Sequence, residues 1–335
     1  MLSLALADYT SAPPYSYNIT GKPITLDGFT VSSDATSGGA FAQGASVQLP
    51  ITLGQSQTWA LGLDNFANLN LGPITGSTDS LTVSATTTGP SAGGFVGFSK
   101  AAEVGPLTFS TPTGNRPDII VPSKSLNGID GNSVTFDHSG LFATGPFNPT
   151  TVTQATIKYG PLGFIGTNVQ LGNGGGTGPY GLDKVNGALT FDSTSFLTLF
   201  SLEPGTGTSP VAGLSYPQLS ASGSVALGSA GLSLWAGCNQ TVGTKYTIVR
   251  SGIGLTGQFA GVANNAVVPG NADNEASCTA PGAVAPMFKI HYGLKAVTAT
   301  VVAAVAAASP NQAQSAGRYW AVSSNGFLKS LSIQK

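Results

Sequence analysis

Apolar and small polar residues alternate in short bursts along this chain, and one burst keeps returning. Leu189-Thr190-Phe191 shares its apolar–small–apolar form with Leu162-Gly163-Phe164, Val134-Thr135-Phe136, Leu107-Thr108-Phe109 and Leu81-Thr82-Val83. Two earlier copies stand at Ile51-Thr52-Leu53 and Ile24-Thr25-Leu26. The last residues of successive copies lie 26 to 30 positions apart, and Pro23, Pro50, Pro106, Pro161 or Gly187 stands just upstream of five of them. In an extended strand each triplet puts two apolar side chains on one face and its middle residue on the other. A fixed period of about 20 to 50 residues is the signature of stacked repeats. The pattern therefore predicts an all-β, single-chain β-solenoid (β-helix), with the seven triplets aligned in one column over a shared apolar interior. The same strings also suit tandem β-sandwiches, because apolar–Thr–apolar runs are common in any Thr-rich β-protein.

Further strands are expected at 15–19, 29–31, 46–49, 118–121, 156–159 and 169–171, with turns at Asn127-Gly128, Asp130-Gly131 and Gly145-Pro146. No segment before the tail sustains a helical period. The tail's Ala/Val-rich run gives about 12 apolar residues, against the ~20 needed to span a bilayer. Beyond a polar linker, residues 318–323 and 327–333 flank Asn325-Gly326, a strong hairpin signal. The expected organisation is an N-terminal cap or signal remnant (1–23), solenoid repeats (24–235), a C-terminal β cap block (236–302), and a linker with a hairpin (303–335).

Charge changes the picture more than length does. Only 8% of residues are charged and the net charge is −1. That offers no basic stripe for phosphate neutralisation and argues against nucleic acid as a partner. A surface kept soluble by Ser, Thr, Asn and Gln suits a secreted or cell-surface setting. Leu4-Ala5-Leu6-Ala7 before Asp8 resembles the end of a secretory signal, though without a basic start. In that setting the two cysteines, Cys238 and Cys278, are candidates for a disulfide closing a loop of about 40 residues, a stabilisation of about 4 kcal/mol. Two buried thiols are the alternative.

Two regions resemble the β-strand repeats associated with autotransporter passengers and other bacterial surface β-solenoids. The first runs from Leu49-Pro50-Ile51-Thr52-Leu53-Gly54 to Thr58-Trp59, then through Ile74-Thr75-Gly76 to Leu81-Thr82-Val83-Ser84. The second includes Tyr216-Pro217-Gln218-Leu219, Gly223-Ser224-Val225-Ala226-Leu227, Tyr246-Thr247-Ile248-Val249 and Ile290-His291-Tyr292. The resemblance implies a solenoid whose C-terminal end is tied by a cysteine before each of the last two of those strands, where Cys238 and Cys278 stand. It implies an extracellular setting and does not imply an active site.

Catalytic motifs are weak. Gly252-Ile253-Gly254-Leu255-Thr256-Gly257 follows a strand, as a dinucleotide fingerprint requires, but Gly261 and Pro269 spoil the helix that should come next. Asp137-His138 would point to opposite faces if both lay on a strand; a solvated turn fits better, and His291 reads as a surface residue. Asp64, Asp79, Asp118, Asp130, Asp137, Asp183 and Asp192 read as turn residues beside Gly, Asn or Ser. Asp137 and Asp192 would stand two repeats apart, roughly 10 Å. No catalytic, cofactor or metal residue is assigned. The expected function is a non-enzymatic structural or adhesive surface protein that binds a host-surface or glycan ligand, or itself. The alternatives are a phage or virion fibre module and a carbohydrate-cleaving β-helix enzyme. Three carboxylates or a Lys/Arg cluster along one groove would favour the enzyme.

Overall fold

The computed structural model describes residues 1–7, 16–34, 44–62, 68–86, 94–99, 102–111, 119–122, 126, 133–143, 156–172, 181–203, 209–272, 283–303, 319–322 and 328–331. Among them there is no α-helix, and successive strands pair in parallel with the strand one coil away. A first ten-stranded sheet starts at Leu2–Ala7, Phe29–Asp34 and Gln57–Leu61. It continues through Leu81–Ala85, Leu107–Ser110, Val134–Asp137, Leu162–Ile165, Leu189–Phe191 and Val225–Ala226 to Leu255–Thr256. A second ten-stranded sheet runs from Ser16–Ile19 to Asn271–Ala272. The third face carries a four-stranded sheet over the early coils and a seven-stranded sheet from Thr156–Tyr159 onward. The chain visits the faces in turn, so this is a β-solenoid and the sandwich alternative falls away.

Five of the seven triplets stack as their spacing predicts. Leu81, Leu107, Val134, Leu162 and Leu189 are in register in the first sheet and all are buried. Two positions on, Phe109, Phe136, Phe164 and Phe191 form a stack inside the core, with successive ring centroids 5.4, 5.6 and 4.7 Å apart. The outward middle positions make a row in which Thr58, Thr82, Thr108 and Thr135 are neighbours. Ile24–Leu26 and Ile51–Leu53 depart from the expected column. They pair with each other in register, but in the third face's four-stranded sheet with Ile74–Gly76 and Ala102–Val104. At that level the first sheet is supplied instead by Phe29–Asp34 and Gln57–Leu61, where Phe29 meets Trp59 edge to face at 5.2 Å. The strand expected at 46–49 forms earlier, at Gly44–Val47.

Leu2–Ala7 pairs in parallel with Phe29–Asp34, so the segment read as a signal remnant contributes a strand to the first sheet. At the other end the topology changes. Lys245–Ser251 pairs in parallel with Gln218–Ala221 on one side and antiparallel with Ala296–Val302 on the other; Met287–Tyr292 and Val267–Pro269 extend the antiparallel edge. The Tyr292 hydroxyl accepts a hydrogen bond from the Phe259 amide and donates to the Val262 carbonyl, pinning the segment that seats buried Phe259. Of the two cysteines expected to tie this block, Cys238 is buried just beyond Gly231–Ala236, and Cys278 lies outside the described residues. Tyr319–Val322 and Leu328–Leu331 form the expected hairpin, whose Asn325-Gly326 turn is also outside them. No described helix is long and apolar enough to cross a membrane.

Candidate functional site: a basic cleft on the third face

Where the parallel stack hands over to the antiparallel hairpin, two strands separate. Gln218–Ala221 and Lys245–Ser251 are in register only from Leu219↔Val249 onward. Before that point side chains bridge the gap: Gln218 Nε2 donates to the Thr247 carbonyl at 2.6 Å, and the Thr247 amide donates to the Tyr216 hydroxyl at 3.2 Å. Strand Lys245–Ser251 also carries a register shift between Thr247 and Val249 against Ala296–Val302. An extra residue in one strand reverses the side-chain alternation beyond it. Tyr246 and Ile248 are buried, Val249 is buried again, and Arg250 is thereby turned out to solvent.

The separation leaves a cleft of about 540 Å³, lined by Tyr216, Gln218, Thr247, Arg250, Ser251 and Lys295 among others. Its floor is rigid. The single Ser251 hydroxyl proton is shared between the carbonyls of Gly223 and Gly254, each 2.8 Å from Oγ, and Oγ accepts from the Gly254 amide at 2.9 Å. A Cβ on Gly252 would lie 2.2 Å from the Ser222 carbonyl oxygen, so only glycine lets the chain pass here. Lys295 reaches over this turn and donates from Nζ to the Gly252 carbonyl at 2.8 Å, leaving two ammonium protons available. The Tyr216 ring packs edge to face on Tyr246 at 5.1 Å. Burial pushes its hydroxyl pKa up, opposed by hydrogen bonds with Thr247 and Gln218, and the group stays protonated. No Asp or Glu is among the described residues lining the cleft, and no described carboxylate pairs with Arg250 or Lys295.

The residues weighed from sequence fall elsewhere. Asp137 and His138 do meet, Oδ1 to Nδ1 at 2.6 Å, contrary to the opposite-face argument, because His138 has φ 51 and has already left the strand. The ring lies over Gly166, where a Cβ would come within 2.7 Å of it, so the pair fills a corner of the coil. Asp192 is a turn residue as expected. Its Oδ1 accepts from Ser195 Oγ, the Gly166 amide and the Thr194 amide, at 2.7, 3.1 and 3.1 Å. Partial burial pushes its carboxyl up, but the hydrogen bonds outweigh this and hold it below the usual carboxylate range. His291 is exposed. Gly252–Gly257 runs into strand Leu255–Thr256 of the first sheet, so no helix follows to hold a dinucleotide.

Asp183 overturns its reading as a turn residue. It sits within Leu182–Val185, buried alongside Val185, and its Oδ1 has no hydrogen-bond partner among the described residues. Burial pushes its carboxyl up to about 7. The neighbouring Tyr159 hydroxyl is raised by burial and then by the Asp183 charge. Such a pair is a polar flaw in the core, with no path to a ligand among the described residues. Compared with protein-family models, with curated proteins and with solved structures, the chain matches none of them.

Proposed function

We propose that this chain is an extracellular, non-enzymatic surface protein: a passenger-like β-solenoid whose role is structural and adhesive. The observation that carries the reading is the in-register column of coils, ending in a block that has the strand wording of passenger repeats. A stack of this kind grows in one dimension and presents long faces for contact. Its outward Thr row suits a surface kept soluble without charge. A Cys238–Cys278 bridge belongs to the same reading, since a disulfide persists in an oxidising exterior. It would fasten the C-terminal block with about 4 kcal/mol. Peptide mapping without reductant should recover the two cysteines in one linked species; two alkylatable thiols in protein secreted under oxidising conditions would remove the bridge from the proposal.

A second reading, carbohydrate cleavage, is favoured by one observation, the Arg250 and Lys295 cations in one cleft. Against it, Gln218, Tyr216 and Ser251 are already engaged in holding the backbone. One experiment separates the two. The purified chain is screened against immobilised glycans and host-cell surfaces while the soluble fraction is assayed for new reducing ends and unsaturated sugars. The adhesive reading expects retention without product. Release of product from any bound glycan would replace it with the enzymatic one.

A further inference from the structure

We infer that the basic cleft is a binding site for a carboxylate-bearing polysaccharide, a uronate chain, lying along the third face parallel to the solenoid axis. This rests on the adhesive reading and names its ligand class. The register supplies the first argument. Lys158, Lys184, Ser220 and Arg250 occupy one row across four successive coils. On strand Leu182–Val185, Asp183 and Val185 are buried, so Lys184 stands on the outer side, as Arg250 does two coils on. Coils are spaced by about 4.8 Å, which separates Lys184 and Arg250 by roughly 10 Å along the axis. Cations two coils apart on one row match an extended chain with acidic groups at regular intervals better than a single small anion.

The charge balance supplies the second argument. From Ser193 to the C-terminus the chain has only three acidic residues, Glu203, Asp273 and Glu275. Of these, Glu203 Oε1 is occupied by the Gly237 amide at 2.8 Å. Lys184, Arg250 and Lys295 form no ion pair with a described carboxylate. Cations that no described carboxylate neutralises are open to an external anion, and a low-dielectric wall focuses their field into the cleft.

The chemistry of the lining gives the third. Arg250 offers the planar fork that grips a carboxylate with two parallel hydrogen bonds, and Lys295 adds a point charge already fixed in place by Gly252. Around them, half-buried Ser220 and Thr247 present hydroxyl groups suited to sugar hydroxyls. Nucleic acid fits less well. The Tyr216 ring is buried against Tyr246 and offers no stacking face, and the whole chain is net negative.

The test is calorimetric titration of the full chain with tetragalacturonate, with its methyl ester, with a neutral galactose tetramer and with inorganic phosphate. The inference expects binding of the uronate alone, weakened as ionic strength rises. Arg250→Ala should weaken it by about tenfold or more, and Arg250→Lys by less, because the lysine keeps charge but loses the fork. Lys295→Met should also weaken it, and circular dichroism should show each variant folded, since both side chains are exposed. Equal binding of the neutral tetramer, binding of phosphate in place of the uronate, or full affinity in Arg250→Ala would overturn the inference. Retention on cell surfaces through neutral glycans, unaffected by Arg250→Ala, would overturn it while leaving the adhesive reading standing. Cleavage of the tetragalacturonate with Arg250-dependent binding would do the reverse.

Discussion

Two buried residues on neighbouring coils show how unevenly a stacked core tolerates its contents. Phe164 lies between Phe136 and Phe191 in the aromatic stack, fully enclosed, so Phe164→Ala removes contacts above and below together. The expected loss is about 3–5 kcal/mol in urea unfolding, the usual range for a buried Phe truncated to Ala. A cost under about 1 kcal/mol would mean that the stack adds nothing beyond filling space. Asp183 is the opposite case. Its folded-state pKa of about 7 stands well above the ordinary aspartate value of about 3.9, so the folded protein keeps a proton that the unfolded chain releases. Below the lower value the shift costs nothing. Stability falls as pH rises through the window and levels off above about 7, for a total on the order of 4 kcal/mol. Asp183→Asn should therefore be more stable than the parent at about pH 8 and lose this decline between about pH 4 and pH 7. Parallel slopes of urea stability against pH in the two proteins would show that the carboxyl does not sit in the core as described.

Elements were legible in the sequence in proportion to how locally they are specified. The column from Leu81 to Phe191 could be read because consecutive strands on that face open with the same buried–outward–buried triplet, paired in register. Ile24–Leu26 and Ile51–Leu53 have the same wording but belong to the third face. An apolar–Thr–apolar strand buries two side chains on any face, and nothing in its three residues says which. The only trace was the interval of 30 from Leu53 to Val83, the longest between triplets. The cleft was less legible still. Simple alternation from Tyr246 and Ile248 would place Arg250 inside, and only the register shift after Thr247 turns it out. Lys295, far along the chain, arrives through the antiparallel return of Ala296–Val302, which no short-range pattern announces. That return is also the element whose removal has the plainest consequence. Deleting residues 243–335 strips Tyr246, Phe288, Ile290 and Val297 from the core and leaves the edge of Gln218–Ala221 bare. Exposed strand edges pair with other molecules, so the truncated chain should aggregate in light scattering. A monodisperse, folded product would show that the block is dispensable to the stack.

At the scale of the whole molecule, the claim with most consequence is that stability is assembled coil by coil. If each coil touches only its neighbours, a whole one can be taken out and the ends rejoined. Residues 81–106 make a suitable unit, because Ser80 and Pro106 hold equivalent places: the Ser80 carbonyl accepts from the Gln57 amide, and the Pro106 carbonyl from the Leu81 amide. Joining Ser80 to Leu107 would set Thr58 beside Thr108 and Trp59 beside Phe109 in the first sheet, the register that Thr82 and Val83 now mediate. It also removes Ala102–Val104, the last strand of its four-stranded sheet, so that sheet would end at Ile74–Gly76. The shortened chain should fold with an unchanged β-sheet signal per residue and a lower melting temperature, since one coil's buried area is gone. Removing residues 81–93 alone takes out a first-sheet strand and joins Ser80 directly to Gly94–Phe98 of the second sheet, and should yield unfolded or aggregated protein. If the half-coil and whole-coil deletions behave alike in circular dichroism and melting, the coils are not the units of cohesion, and the fold is held together by contacts that run along its whole length.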